Sequence, residues 1–160
     1  MSNEWRYNGK SDCAPLHYNW CGLDDVFLVS GYECHQTDDG EDVVIQDLDG
    51  LHRAIGLHLA EHKKALNGKE IRFLRHAMDL TQSELSDLLG VNDQTVARWE
   101  KQETDIPAPA ELLLRVLFLG HVHKRVDVRE LATELREKDS PSVERQVFTE
   151  KNGVWVALVA

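Results

Sequence analysis

Apolar residues recur at helical spacing between residues 69 and 121, and they predict four short helices in this part of the chain. The fourth predicted helix covers residues 111–121 and follows a break at Pro107-Ala108-Pro109. The apolar stripes of the first three helices are, in chain order, Ile71, Leu74 and Met78, then Leu85, Leu88 and Leu89, and then Val96 and Trp99. Four amphipathic helices in about fifty residues indicate a small helical domain.

Polar residues indicate where these helices begin and turn. Thr81 is followed three residues later by Glu84, which is the spacing of a capping box at the start of a helix. Gly90 can supply the turn that ends this helix, and Asn92 can cap the next one. The chain from Thr81 to Lys101 is therefore predicted to form two short helices that cross over a shared core, the helix-turn-helix arrangement.

The N-terminal flank is predicted to hold a β-hairpin and one helix. The predicted elements are residues 1–24 without regular structure, strands at 25–35 and 43–46 around a turn at 38–40, and a helix at 50–65. Asp47 and Asp49 stand where the cap of that helix belongs, and Asn67-Gly68 can end it.

The C-terminal flank is predicted to contain one more helix, at 127–138, and then a hairpin around Asn152-Gly153. The predicted fold class is mainly α, and the domain boundaries are an acidic N-terminal region at 1–66, a helix-turn-helix domain at 67–122 and a C-terminal part at 123–160. The apolar segment VWVALV near the C-terminus would be prone to aggregate if its edge were bare, so the part after residue 125 is a candidate dimer contact.

Charge is distributed unevenly along the chain. The 160 residues have a formal net charge of −10, which at first argues against a DNA partner. Residues 1–62, however, hold three Lys and Arg against twelve Asp and Glu, whereas residues 63–101 hold seven against six. The acidity therefore lies outside the predicted helix-turn-helix. An acidic first third would face away from DNA or contact a basic partner protein.

The helix after Asn92 carries side chains that can recognise a base sequence. The N-terminal half of this second helix is the part that enters the major groove. Arg98 can pair with guanine and Gln94 with adenine, each through two hydrogen bonds. The predicted DNA-binding residues here are Asn92, Asp93, Gln94, Thr95, Arg98 and Lys101.

Residues ahead of this helix are predicted to contact phosphate. Gln82 lies at the start of the preceding helix, where its backbone N–H and side chain can hold a phosphate oxygen. Arg72 and Arg75 are candidates for the same role, the alternative being a solvated face. Trp99 follows an inward Val96 by three residues and is interpreted as a core residue.

These residues resemble the Xre/Cro/C1 family of phage-repressor-like regulators over about residues 68–119. The family pattern has Gln, then Leu three residues later, then Gly-Val, and a recognition helix ending in a hydrophobic-Glu pair. The matching residues are Gln82, Leu85, Gly90, Val91, Val96, Trp99 and Glu100. Ser86 departs from the usual Ala, and Glu103 falls near the usual Gly. The resemblance implies a λ-repressor-like domain of four to five helices.

The order of the segments also resembles the MqsA/YgiT-type antitoxins. That family typically carries two zinc-binding CxxC pairs in its N-terminal part, whereas this chain has isolated Cys13, Cys21 and Cys34. No metal site is therefore predicted, although a degenerate zinc site with His17 and His35 stays open as an alternative. The resemblance implies a repressor of its own promoter whose N-terminal part engages a toxin.

Two hypotheses about function remain. The first is a DNA-binding repressor in the cytoplasm, which binds an operator in its own promoter as a homodimer because one recognition helix reads only about four base pairs. The second is a protein-interaction module that neutralises a partner protein, with DNA binding secondary. The sequence contains no nucleophile elbow, phosphate loop or HExxH motif, so no enzyme and no cofactor are predicted.

Overall fold

The computed structural model describes residues 15–138 and 145–158. The helices in these ranges are α1 (Leu48–His62), α2 (Gly68–Ala77), α3 (Gln82–Leu89), α4 (Asp93–Glu100), α5 (Ala108–His121) and α6 (Val128–Glu137). The strands are β1 (Leu16–His17), β2 (Val26–Leu28), β3 (Tyr32–Thr37), β4 (Gly40–Ile45), β5 (Gln146–Lys151) and β6 (Val154–Leu158). Within the described ranges, no helix combines the length and the apolar character needed to cross a membrane.

Helices α3 and α4 begin where their capping residues predict. The Thr81 side chain accepts the backbone N–H of Glu84, and the Glu84 carboxylate accepts the N–H of Thr81, so the capping box is confirmed. Gly90 follows α3 with φ +71°, a left-handed conformation that glycine adopts without strain. Asn92 caps α4 by accepting the N–H of Thr95 at 2.8 Å.

Two helix boundaries differ from the prediction. Asn67 caps the start of α2, because its side chain accepts the N–H of Glu70. It does not end the preceding helix, since α1 already ends at His62. The prolines around Ala108 start α5 three residues earlier than predicted. Proline fits the first helical turn because its missing N–H has no partner there in any helix.

The predicted hairpin at 25–35 and 43–46 is split between two sheets. Strands β3 and β4 form an antiparallel two-stranded ribbon with its turn at residues 38–39, whereas β2 joins a sheet of order β1-β2-β5-β6. Gly31 separates the two strands of 25–35 with φ +79°, and a Cβ there would lie 2.6 Å from Trp155. A close contact with the distant C-terminal hairpin therefore breaks a segment that looks continuous in the sequence.

The four-stranded sheet joins the two ends of the chain. Strand β2 pairs with β5 in parallel, and β5 and β6 form the predicted hairpin around Asn152 and Gly153. Both turn residues have positive φ, as a tight two-residue hairpin requires.

Helix α1 lies at the centre of the core and connects this sheet to the helical domain. Gly56 on α1 allows close packing, because a Cβ there would lie 2.8 Å from Cε1 of Phe118 on α5 and closer still to Cζ of the same ring. The fully buried Arg115 of α5 donates to the carbonyl oxygens of Leu59 (2.8 Å) and Lys63 (2.6 Å), while Glu111 pairs with it at 2.5 Å. Arg115 thus satisfies carbonyl groups at the end of α1 that have no partner within the helix. These bonds cross the boundary predicted at residue 66.

Candidate nucleic-acid interface

The outer face of α4 is polar and its inner face is apolar. Val96 and Trp99 are buried against Leu85 of α3, so Trp99 is a core residue as interpreted from the sequence. Besides the capping residue Asn92, four residues in or next to α4 are exposed, namely Asp93, Gln94, Arg98 and Lys101. The structure thus brings four of the predicted DNA-binding residues together on one exposed helical surface.

Two further predicted residues of this helix take part in its cap. The Oδ1 atom of Asn92 accepts both the backbone N–H and the hydroxyl of Thr95, the latter at 2.9 Å. This pair fixes where α4 begins, and hence which side chains its first turn presents. A contact of either residue with DNA stays a prediction.

Gln82 and Arg75 converge on a single buried carboxylate. Arg75 Nε donates to Glu100 at 2.5 Å, and Gln82 Nε2 donates to the other oxygen of the same carboxylate at 2.8 Å. Arg75 also donates to the carbonyl oxygen of Leu80 at 2.9 Å, and it is only 7% exposed. This network ties α2, α3 and α4 together, so Arg75 has structural partners here and its predicted phosphate contact remains untested.

Glu100 is recognisable in the sequence only as part of the family pattern, and its pairing with Arg75 was not predicted. A signal for it was present, because a carboxylate next to the core residue Trp99 needs a cation or several donors when it is buried. The sequence pattern could not identify Arg75 as the partner of Glu100, because the two residues are 25 positions apart in the chain.

Arg72 lies one turn before this network on α2. Its side chain is exposed, and its Nε donates weakly to Nε2 of His76 at 3.4 Å. Arg72 is therefore free to reach an anion, which fits the predicted phosphate contact without testing it.

Both departures from the family pattern have a local explanation. Ser86 is buried, and its hydroxyl donates to the carbonyl oxygen of Ser83 at 2.6 Å, so a serine fits the usual alanine position. Gln102, rather than Glu103, takes the left-handed position after α4, with φ +57°. The next backbone N–H, that of Glu103, donates back to the carbonyl oxygen of Arg98.

The remaining histidines and cysteines do not gather into a metal site in the part of the chain that the structure describes. Cys21 lies half-buried beside the sheet, and Cys34 is exposed on the β3–β4 ribbon. Cys13, the third cysteine of the alternative zinc site, lies outside the described residues.

The comparisons with known proteins agree with this geometry. A family model described as helix-turn-helix matches residues 71–114, from the first turn of α2 to the middle of α5. No curated protein and no solved structure gives a significant match to the chain. Residues 71–114 therefore form a helix-turn-helix domain of the Xre/Cro/C1 type, the DNA-binding part of a transcription regulator.

Proposed function

We propose that the protein is a sequence-specific repressor that binds, as a homodimer, an operator in its own promoter. The observation that carries this proposal is the exposed face of α4, where Gln94, Arg98 and Lys101 stand together on a helix whose other side is core. Glutamine and arginine are the side chains that pair best with base edges in the major groove. A helix used only for packing has no need of this combination.

Only part of this face carries the positive charge that favours binding to duplex DNA. Arg98 and Lys101 are cationic, but Asp93 at the start of α4 is not, so it would lie where a base amino group can donate to it, such as cytosine N4. Phosphate contacts from Gln82 and Arg72 would flank this face. The interface is thus a small basic surface on an acidic chain.

A homodimer would place two such helices on successive half-sites of an operator. Strand β6 is a candidate for the contact between the two copies, because it lies at the edge of the four-stranded sheet and Val154 is 59% exposed. Its apolar sequence has no charged residue that would block pairing with another strand. Sedimentation of a chain shortened at about residue 125 tests this, and a shortened chain that stays dimeric excludes the C-terminal part.

In its more specific form, the proposal is that this repressor is an antitoxin that acts in the cytoplasm. It rests on the resemblance to the MqsA/YgiT-type antitoxins and on the exposed β3–β4 ribbon. The acidic side chains of this ribbon and its turn are Glu33, Asp38, Asp39, Glu41 and Asp42, and all are exposed. This surface also favours the second candidate function, a module that neutralises a basic partner protein while DNA binding is secondary.

The first experiment is fluorescence anisotropy with the purified chain and DNA from upstream of its own gene, at several salt concentrations. The proposal expects this DNA to bind at least about a thousandfold more tightly than random DNA near physiological salt. Weak and equal binding of both would contradict it. Pull-downs with the protein as bait, compared with a variant whose five ribbon carboxylates are amides, would then test the second function.

The role of single residues is tested on the same DNA. Arg98→Ala should cost roughly 1–3 kcal/mol of binding free energy and relax the preference at one base position. Arg72→Ala is the matched control, because loss of a phosphate contact should weaken specific and random DNA alike. If Arg98→Ala weakens both DNAs equally, Arg98 does not read a base.

A further inference from the structure

A cleft opens between α1, α2, the end of α5 and the turn at residues 19–22. Its volume is about 810 Å³, which falls in the range of small-molecule sites, roughly 300–1,000 Å³. Phe73 and Phe118 lie in its walls, and Trp20 at its rim is 62% exposed. The two phenylalanines are almost fully buried, so Trp20 supplies nearly all of the exposed aromatic surface that a flat ring could contact there.

Arginines on opposite walls of this cleft have no carboxylate partner in residues 15–138 and 145–158. Arg53 on α1 donates from Nη2 to the carbonyl oxygen of Val122 at 3.0 Å, and Arg72 on α2 contacts only an imidazole. Lys69 also lines the cleft, but it donates to both carboxylate oxygens of Asp24 and is neutralised there. Two cations are therefore available to an anionic ligand.

Asp49 in the first turn of α1 and Asp79 just after α2 line the cleft as well, so an anion would be held at one arginine rather than by a positive charge spread over the whole cleft. Burial, Arg75 and Arg72 together lower the pKa of His76, and the charge of Glu100 only partly opposes them. A neutral imidazole and an unpaired guanidinium thus lie next to each other on this wall. A carboxylate placed there would gain a charge-assisted hydrogen bond from Arg72.

Hydrogen bonds connect this wall to the start of α3. Arg75 Nη2 donates to Nε2 of His76 at 3.3 Å, while Nε of the same arginine donates to Glu100. Gln82 holds the other oxygen of that carboxylate. An anion bound beside His76 favours protonation of the ring at Nε2, which turns this nitrogen from an acceptor into a donor and removes it as a partner of Arg75. Through Glu100 this change reaches Gln82, the side chain predicted to hold a DNA phosphate.

We propose that this cleft binds a small aromatic carboxylate, with the carboxylate on Arg72 and the ring against Trp20, and that occupancy alters the helix-turn-helix through the Arg75–Glu100–Gln82 network. The effect on DNA rests on the proposed function, whereas binding of the ligand does not. The protein would then be a regulator whose operator affinity responds to an aromatic acid.

Isothermal titration of the full chain with 2-naphthoate tests the site, with the neutral 2-naphthalenemethanol as the probe of equal shape. We expect the carboxylate to bind at least about tenfold more tightly, the gain from one charge-assisted hydrogen bond. Arg72→Gln should remove this preference, whereas Arg129→Gln, which removes the same charge from the exposed surface of α6, should leave it unchanged. Equal affinity for both probes, or a preference that survives Arg72→Gln, overturns the site.

The coupling between the ligand in the cleft and Gln82 is measured by NMR in the absence of DNA. Saturating 2-naphthoate should raise the pKa of His76, because a nearby anion favours the imidazolium, and it should shift the side-chain amide signals of Gln82. Unchanged Gln82 signals in a chain that binds the probe overturn the coupling. In anisotropy with upstream DNA, the probe should weaken binding at least threefold, because it occupies Arg72, a proposed phosphate contact, in addition to its effect on Gln82. A chain that binds the probe but no DNA contradicts the proposed function alone.

Discussion

The helix-turn-helix and the four-stranded sheet are held together by contacts of very different range along the chain. In the first, Thr81 and Asn92 each bond a residue three positions later. In the second, Ser30 bonds Thr149, 119 residues away. Local contacts form as soon as their segment is helical, whereas distant ones must first overcome the entropy of closing a long loop. The exposed face of α4 is thus set by local contacts, and its position in the molecule is set by a few distant contacts.

The largest effect is expected inside the helix-turn-helix, at the buried ion pair of Arg75 with Glu100, which are 25 residues apart. Arg75→Met leaves the buried Glu100 with Gln82 as its remaining side-chain donor, and should cost about 3–5 kcal/mol of unfolding free energy in urea denaturation. Combining it with Glu100→Leu should recover much of this loss, because no unpaired charge stays buried. Arg72→Met, on the exposed side of α2, is the control and should change stability by less than about 0.5 kcal/mol. Strictly additive losses in the double variant would mean that the two charges are not coupled.

The next largest effect is expected where the start of α2 lies against the backbone at the end of α4. Gly68 begins α2, and a Cβ there would lie 2.7 Å from the carbonyl oxygen of Trp99 and closer still to that of Glu100. Gly68→Ala should therefore cost about 1–3 kcal/mol, since rigid backbone has to move. Gly120→Ala on α5 meets nothing within 4 Å and should instead stabilise by up to about 1 kcal/mol. The free energy of unfolding of both variants, from thermal or urea denaturation, tests this expectation. Similar changes for the two variants would show that the backbone at the α2–α4 contact moves at little cost.

A smaller effect is expected from one distant hydrogen-bonding group of the sheet. The Ser30 hydroxyl shares a 2.6 Å hydrogen bond with Thr149 and accepts the N–H of Glu150 at 2.9 Å. Ser30→Ala leaves these buried groups without their partner and should cost about 1–2 kcal/mol. Thr37→Ala removes a local, exposed hydrogen bond to Gly40 and should cost less than about 0.5 kcal/mol. If the two substitutions lower the free energy of unfolding equally in urea denaturation, the sequence separation of a contact does not determine its contribution to stability.

The smallest effect concerns pH. Glu70 on α2 is almost fully buried, and this burial raises its pKa despite the ion pair with Lys63 and the hydrogen bond from Asn67. A raised folded-state pKa means that the folded chain binds this proton more tightly than the unfolded chain. The resulting stability is present below the ordinary glutamate pKa and is lost as pH rises through the higher folded value.

Glu70→Gln should therefore remove part of the pH dependence of stability, in the window between the ordinary glutamate pKa and the raised one. The measurement is the urea midpoint at several pH values from 4 to 8 for both chains. Parallel curves for the two would contradict the raised pKa. Glu84→Gln is a contrasting variant, because hydrogen bonds from Thr81 lower the pKa of that exposed carboxylate, so its change should have the opposite sign.

The parts of the fold that the sequence predicted well are those whose cause lies within a few residues. The capping residues Thr81 and Asn92, the turn at Gly90 and the hairpin at Asn152-Gly153 each carry their own local chemistry. The exposed residues of α4 followed from helical periodicity alone, once the core positions were assigned.

The parts that it missed depend on partners far along the chain. The division of 25–35 into two strands results from Trp155, which lies against Gly31. The buried pair of Arg75 with Glu100, and the contact of Arg115 with the end of α1, likewise join segments that no local pattern connects. A residue type can show that a buried charge needs a partner, but only the fold shows which one it has.

The parallel pairing of β2 with β5 has a consequence for how the protein is made. A ribosome adding roughly 5–20 residues per second needs about 6–24 s to extend the chain from Ser30 to Thr149, which are 119 residues apart. Helices α2 to α5 are synthesised completely during that interval, while β2 has β1 on one side but still lacks β5 on the other. A prematurely terminated product would thus carry complete helices α2 to α5 together with an apolar strand β2 that lacks β5 on one side, and cellular proteases could distinguish it from the full-length chain by that open side.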